Sequence, residues 1–166
     1  MSARFDSDEF RRILGHYPTG VCAITAQTDE GPAGMVVGSF TSVSLAPPLV
    51  AFFPDRSSSS WPKIRDTGRF CVNVLSEGQR DVCRALAAKG ADKFADVAWH
   101  PSPAGLPIID GGVAWIDCEL HAIHEAGDHF IVLGHVHALH ADHANAPLLF
   151  YRGGYGQFAP HVALSA

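Results

Sequence analysis

The fold is decided by Val113-Ala-Trp-Ile-Asp-Cys-Glu-Leu-His-Ala-Ile123 and, after Gly127-Asp128, by His129-Phe-Ile-Val-Leu-Gly-His-Val-His-Ala-Leu-His140. Apolar residues occupy the even-numbered positions of the first segment, whereas Asp117 and Glu119 occupy odd-numbered ones. This period of two is typical of a strand with one buried face, so both carboxylates are expected on the outward face. The second segment alternates in the same way, and the tight turn between the two predicts an antiparallel hairpin.

Shorter strands and a few helices are predicted elsewhere. Helix starts are indicated at Asp6, at the serines before Trp61, and at Ser76, where Gln79 completes a capping box for a helix to Ala88. The predicted short strands are Val21–Gln27, Gly34–Phe40, Leu49–Phe53 and Phe70–Leu75. Because strands dominate and no linker or repeat interrupts the chain, the sequence predicts a single mainly β domain over residues 1–166, built as a closed or partly open antiparallel barrel.

Composition excludes several functional classes. The 166 residues are 47% hydrophobic and 17% charged, with a formal net charge of −5 and no basic run, so neither disorder nor nucleic-acid binding is expected. No apolar stretch is long enough for a membrane span, and the N-terminus lacks a signal-peptide core; we therefore expect a cytoplasmic protein with no membrane partner. The four cysteines lie far apart and are predicted to be buried core thiols.

Two hydroxyl-rich stretches are candidates for ligand binding. Ser39, Thr41, Ser42 and Ser44 alternate with apolar residues and could face the polar edge of a flat heteroaromatic ring, or could simply cover the solvent face of a barrel strand. Asp55-Arg-Ser-Ser-Ser-Ser60 precedes a predicted helix, where hydroxyls, a guanidinium and free N–H groups could hold a phosphate. An ordinary capped surface turn is the alternative, and both interpretations stay open.

Histidines are concentrated near the C-terminus. Seven of the ten lie between His121 and His143, and His135-Val136-His137 is similar to the metal-binding HxH of cupins. The expected glutamate is missing, and only Asp142 is near, so surface histidines on a hairpin are the favoured interpretation and no metal is predicted. No GxSxG nucleophile motif and no GxGxxG dinucleotide motif is present.

Taken in order, four segments resemble the short-chain flavin reductases, the reductase components of two-component flavin-dependent monooxygenases. The resemblance runs from about Phe10 to Phe158, nearly the whole chain, and implies a split antiparallel β-barrel of Greek-key type with flanking helices. The segments are His16-Tyr-Pro-Thr-Gly-Val21, Gly34-Met35 with Ser39-Phe-Thr-Ser-Val-Ser-Leu-Ala-Pro-Pro-Leu-Val50, Gly127-Asp-His129, and Leu149-Phe-Tyr-Arg-Gly-Gly-Tyr-Gly156.

The resemblance also implies positions for the ligands. The flavin, FMN or FAD, is expected along Val37, Gly38, Ser39, Phe40 and Thr41. Its phosphate is expected at Asp55, Arg56, Ser57, Ser58 and Ser60, closed over by Lys93 and Phe94. The nicotinamide is expected at Gly127, Asp128 and His129, with Arg152 and Tyr155 in the same cleft. This chain departs from the family at Gly38, where an asparagine or another polar residue is common.

The implied activity is reduction of FMN or FAD by NADH or NADPH, with the reduced flavin passing to a partner monooxygenase. The resemblance also implies a homodimer with the flavin near its interface, and His129 as the residue that orients the nicotinamide. Three other functions stay open: a flavin-binding protein or redox sensor without turnover, an activity like that of pyridoxamine-phosphate oxidase, and a histidine metal site.

Overall fold

The computed structural model describes residues 4–90, 92–142 and 144–162. Its elements, in chain order, are α1 Ser7–Leu14, β1 Thr19–Gly20, β2 Cys22–Thr28, β3 Gly31–Val37, β4 Thr41–Leu45, β5 Pro48–Phe52, α2 Trp61–Thr67, β6 Arg69–Val74, α3 Arg80–Ala87, β7 Trp99–Pro101, β8 Pro107–Ile109, β9 Ala114–Ala126, β10 His129–Ala141, β11 Leu148–Tyr151 and β12 Gly154–Gln157.

The predicted hairpin is confirmed and lies at the centre of the main sheet. Strands β9 and β10 pair antiparallel from His129 opposite Ala126 to Ala141 opposite Ala114. The seven-stranded sheet has the order β3-β2-β6-β9-β10-β5-β4, so that many sheet neighbours are distant in the sequence. Strands β1, β11 and β12 form a smaller sheet, and β7 pairs with β8.

Aromatic rings fill the core inside the curved main sheet. Phe52 contacts Phe70, with ring centroids 5.2 Å apart, and also contacts Trp61, at 5.7 Å, both in edge-to-face geometry. The side of the Phe70 ring lies against Gly134, where an added Cβ would come within 2.5 Å of the ring. Only glycine therefore fits at this point of β10, and the pairing with β9 shifts register between Leu133 and Gly134.

Asp117, on the outer face of β6 and β9, is not exposed to solvent, although the sequence predicted that it would be. Its side chain is buried, with 2% exposure, and neither carboxylate oxygen has a hydrogen-bond partner. The reason is that Leu106 and Ile108, from the segment around β8, pack against Cys71, the β6 residue paired with Asp117, and so cover this face. Glu119, two positions along, is exposed as predicted.

A buried polar network holds β8 on the sheet. The amide of Asn73 donates to Thr25 Oγ1 at 3.0 Å and accepts from the N–H of Ile109 at 2.9 Å. The Thr25 hydroxyl in turn donates to the Pro107 carbonyl at 2.6 Å. Because buried polar groups are costly when unpaired, this network favours one position of the covering segment.

The helix starts agree only in part with the predicted caps. Asp6 caps α1 by accepting from the Glu9 N–H at 2.8 Å, as predicted. The capping-box bond predicted between Ser76 and Gln79 is present, since Gln79 Oε1 accepts from the Ser76 N–H at 2.8 Å, but it closes a turn before the helix, and α3 itself begins at Arg80. Ser60 precedes α2 without a side-chain capping bond.

The close approach of Phe70 to Gly134 generates a stability prediction. Gly134→Ala is expected to lower the free energy of unfolding by about 1–3 kcal/mol, because the methyl group overlaps the ring. Gly156→Ala is the matched control: this strand position has no atom within 4 Å of an added Cβ, and its effect is expected to stay within about 0.5 kcal/mol. Urea unfolding of the three proteins measures both values, and equal midpoints for Gly134→Ala and the parent would contradict the packing argument.

Candidate functional site

The main cavity lies where the end of β3 faces the loop after β5 and the tip of the β9–β10 hairpin. Its volume is about 660 Å³, within the range of small-molecule and cofactor sites. Its lining is mostly apolar, with a few polar groups. The lining residues are Met35, Val36, Val37, Gly38, Ser39, Phe53, Pro54, Asp55, Ala126, His129, Phe130 and Ile131.

The β3 wall contains three of the five residues expected to contact the flavin ring. Val37, Gly38 and Ser39 line the cavity, and Ser39 Oγ accepts from the Phe53 N–H at 3.0 Å, which ties the β3 wall to the β5 wall. Phe40 packs against the core instead. The Thr41 hydroxyl donates to the Ser42 carbonyl at 3.2 Å, and neither Phe40 nor Thr41 lines the cavity.

Gly38 is the position at which this chain departs from the family pattern. A Cβ at Gly38 would lie 3.0 Å from Thr19 Oγ1. The Thr19 hydroxyl thus occupies the side of the backbone where another residue would place its side chain, which accounts for a glycine here.

The hairpin wall contributes His129, whose imidazole lines the cavity. Its Nδ1 lies 2.7 Å from Asp128 Oδ1, so the carboxylate orients the ring and leaves Nε2 without an intramolecular partner among the described residues. Gly127 adopts φ +63° in the turn before it, a conformation that glycine tolerates best. Backbone pairing of His129 with Asp55 joins this wall to the loop after β5.

A second, smaller cavity of about 130 Å³ lies at the other end of β3. Gly34, Ser59, Ser60, Lys63 and Lys93 are among its lining residues. Lys93 Nζ donates to Ser60 Oγ and to the Leu86 carbonyl, both at 2.9 Å. Partial burial and the neighbouring positive charge of Lys63 lower the pKa of Lys93. Glu30 also lines the cavity, so two ammonium groups stand against one carboxylate; the net positive charge, with the hydroxyls of Ser59 and Ser60, makes this cavity suited to an anion.

The residues expected around the phosphate are therefore divided between two places. Ser60 and Lys93 lie in the small cavity, but Asp55 Oδ1 accepts from both the N–H and the hydroxyl of Ser57 at 2.6 Å. These bonds lower the pKa of the Asp55 carboxyl. Ser58 Oγ accepts from the Trp61 N–H at 3.2 Å, at the start of α2.

Arg56 and Phe94 are not among the lining residues of the small cavity. Arg56 pairs with Glu125 at 2.9 Å, on the hairpin. Phe94 is only 8% exposed and packs behind the cavity, against its lining residue Gly34, in the core beneath α3. Ser59 belongs to the hydroxyl-rich stretch that the sequence analysis singled out, although the resemblance did not assign it to the phosphate. Lys63 was missed by the sequence analysis; the signal was a lysine in the first turn of the helix that follows the four serines.

Tyr155 and Arg152 do not line the main cavity within one chain. Tyr155 borders a separate pocket with Arg80 and Glu77, and its hydroxyl lies 3.2 Å from Cys83 Sγ. This hydrogen bond raises the pKa of the Tyr155 phenol. The N–H of Arg152 donates to the Gly15 carbonyl at 2.9 Å, beside α1.

Two histidines of β10 lie close together. The rings of His135 and His137 lie 4.9 Å apart, and His137 Nε2 is 3.1 Å from Glu119 Oε2. Within residues 4–90, 92–142 and 144–162, no group of three or more histidine, cysteine, aspartate or glutamate side chains is placed to hold a metal ion. His143, part of the predicted cluster, lies outside the described residues. No helix in the described part of the chain has the length and apolar character needed to cross a membrane.

Comparison with known proteins identifies the family to which this fold, with its two cavities, belongs. The model of the flavin reductase like domain matches residues 14–159, and the chain belongs to that family. A flavin reductase of Pseudomonas putida is 60% identical over 155 residues, which cover 93% of this chain and 91% of the relative.

Solved structures extend the comparison to three dimensions. Nitrilotriacetate monooxygenase component B of Mycobacterium thermoresistibile superposes with a TM-score of 0.91 at 46% identity, covering 97% of this chain and 91% of that chain. A Streptomyces globisporus NADH:FAD oxidoreductase, in complex with NAD and FAD fragments, superposes with a TM-score of 0.91 at 35% identity, covering 98% and 99%. The predicted family, the mainly β split-barrel fold and the flavin reductase class of enzyme are thus confirmed.

Thiol burial generates a prediction about reactivity. All four cysteines are free and buried, as the sequence predicted. Burial raises the pKa of Cys22 to about 12, and burial with the nearby Asp117 raises that of Cys118 to about 12. At pH 8 the Cys22 and Cys118 thiols are therefore protonated, and burial shields all four thiols from reagents, so we expect no reaction with a disulfide reagent such as DTNB until the protein is unfolded in guanidinium, when four thiols react. Rapid labelling of two or more thiols in the native protein would contradict this assignment.

Proposed function

We propose that this protein reduces FMN or FAD with NADH or NADPH, and that the whole chain forms one flavin reductase-like domain. The observation that carries the proposal is the pair of cavities on β3, one wide and apolar beside Val37–Ser39, the other small and cationic beside Lys63 and Lys93. A flavin combines a flat apolar ring with a phosphate at the end of a flexible chain. A strand advances about 3.3 Å per residue, so Gly34 and Gly38 are separated by a distance that such a chain can span.

The ring is proposed to lie against the backbone of Val37, Gly38 and Ser39. Backbone N–H groups here would stabilise the negative charge that a reduced ring carries along its polar edge. Bound flavin and nicotinamide themselves supply the hydride chemistry. The task of the chain is to stack the two rings in contact and to exclude water between them.

The flavin phosphate is proposed to bind among Ser59, Ser60, Lys63 and Lys93. Lys93 is already held by protein acceptors, so its position requires no ordering on binding. Lys63 supplies a second charge, and the serine hydroxyls supply neutral donors. We propose Asp55, Ser57 and Ser58 as the turn that holds this loop in shape, rather than as direct phosphate ligands.

The nicotinamide is proposed to bind beside His129, with Gly127 and Asp128 supporting that residue. Asp128 orients the imidazole through Nδ1, and Nε2 is available to the carboxamide of the donor. Tyr155 and Arg152 are proposed to reach this region only from a second copy of the chain, since they lie elsewhere within one chain.

A homodimer is proposed because one chain leaves apolar side chains exposed. Helix α1 has no buried residue, and its apolar side chains Phe10, Ile13 and Leu14 are each about half exposed. Leu45 on β4 is 96% exposed. Apolar surface of this kind is characteristic of a face covered by another protein.

The physiological acceptor of reduced flavin is proposed to be a flavin-dependent monooxygenase component. A relative of known structure is named as component B of a monooxygenase, which supports this assignment. The free, buried thiols fit the reducing environment of the cytoplasm. The absence of a basic run in the sequence argues against a nucleic-acid partner.

The test is anaerobic absorbance of the purified protein with FMN, and separately with FAD, as NADH and then NADPH are added. Loss of the visible band of oxidised flavin at a rate proportional to protein concentration supports a reductase and identifies its donor. Flavin that binds but is not bleached supports the alternative, a flavin-binding protein or redox sensor. Failure of both flavins to bind would overturn the proposal.

The role of His129 gives a further prediction. His129→Ala is expected to raise the KM for the nicotinamide donor about tenfold and to slow reduction, because the nicotinamide ring loses the contact with His129 that orients it. The exposed His124→Ala, on the same hairpin but outside the cavity, is the matched control and is expected to leave both constants unchanged. Unchanged steady-state kinetics for His129→Ala would exclude this role.

A further inference from the structure

Arg56 is the cationic residue among the predicted phosphate ligands whose side chain contacts the hairpin. Its guanidinium lies 2.9 Å from Glu125 Oε2, and its Cζ lies 5.2 Å from the centroid of the Phe130 ring. Phe130 lines the main cavity next to His129. The guanidinium therefore lies against one lining residue of the cavity without lining the cavity itself, with an exposed carboxylate on one side and an aromatic face on the other.

The backbone keeps Arg56 in this position. Its N–H donates to the Asp128 carbonyl at 2.9 Å, and the preceding Asp55 pairs with His129. The Phe130 N–H donates to the Pro54 carbonyl at 2.9 Å. These two backbone hydrogen bonds together form the antiparallel bridge between Asp55 and His129, and they join the loop of Arg56 to the turn that orients His129.

The cations of the site are consequently divided between two walls. Lys63 and Lys93 line the small cavity at the start of β3, and Arg56 lies on the hairpin beside His129. The proposed reaction also brings together two anionic substrates: a flavin with its phosphate, and a dinucleotide with its pyrophosphate. One cationic group is available for each.

We propose that Arg56 binds the phosphate groups of the nicotinamide dinucleotide, and that Glu125 is the counter-ion it exchanges for them. This inference rests on the proposed reductase function and deepens it. A guanidinium presents paired N–H donors that match phosphate oxygens. Contact with Phe130 keeps the guanidinium plane in place while its anionic partner changes.

Exchange of Glu125 for a phosphate group at Arg56 costs little free energy because the ion pair between Arg56 and Glu125 is exposed. The side chains of Arg56 and Glu125 are 42% and 77% exposed, and ion pairs in such positions stabilise a folded protein little. A doubly charged pyrophosphate competes effectively with one carboxylate for the same guanidinium. Glu125 therefore weakens donor binding without blocking it.

The test compares four variants by two constants, the KM for NADH and the dissociation constant for FMN. R56A is expected to raise the KM about tenfold and to leave FMN binding unchanged, whereas K63A is expected to do the reverse. E125Q is expected to lower the KM severalfold, since the guanidinium is then free. R65A is the matched control: Arg65 pairs with Asp66 at 2.8 Å and is 45% exposed, but it lines neither cavity.

A donor without phosphate separates a binding role from misfolding. With 1-benzyl-1,4-dihydronicotinamide, which carries the hydride and no phosphate, R56A and the parent are expected to reduce FMN at equal rates. If R56A weakens FMN binding and leaves the KM for NADH unchanged, Arg56 belongs to the flavin site and this inference is overturned. A KM raised by E125Q, or slower reduction by R56A with the phosphate-free donor, would also overturn it. Absence of flavin reduction by the parent protein would instead overturn the proposed function itself.

Discussion

The contact between the Phe70 ring and Gly134 links the central hairpin to the aromatic core, and through that core to the helix beside the small cavity. The ring occupies the space of a missing side chain on β10 and meets Phe52 on β5. Phe52 in turn contacts Trp61, the first residue of α2. A continuous series of aromatic contacts thus runs from the central hairpin to the helix that carries Lys63. Packing of Trp61 in the core therefore positions Lys63, one of the two lysines of the small cavity, although Lys63 itself is part of no core cluster.

The alternation of apolar and polar residues was sufficient to predict the elements whose residues interact with near neighbours in the sequence. Alternation alone predicted β9 and β10, because both strands bury one face and a tight turn joins them. It did not predict the burial of Asp117, since the residues that cover this carboxylate, Leu106 and Ile108, belong to a segment with no strand-like alternation. Burial on the outer face of a sheet depends on which distant segment crosses it, and a single strand carries no information about that segment.

The candidate site was likewise predicted only in part, because some of its contacts join residues that are distant in the sequence. The resemblance placed Val37, Gly38, Ser39 and His129 in one region, and the structure brings them together around one cavity. The stretch from Asp55 to Ser60 was treated as one anion site, but the chain turns between Arg56 and Ser59, and the two ends of the stretch face different walls. The partner of Arg56 is Glu125, far away in the sequence, so only the paired hairpin and loop reveal it.

The hydrogen bond from the Phe53 N–H to Ser39 Oγ joins two walls that already belong to one continuous sheet. The width of the cavity between these walls is thus set by strand pairing and by this bond before any ligand arrives. A flat ring that enters between them meets a space that is already formed, so little of its binding free energy is spent on ordering the protein.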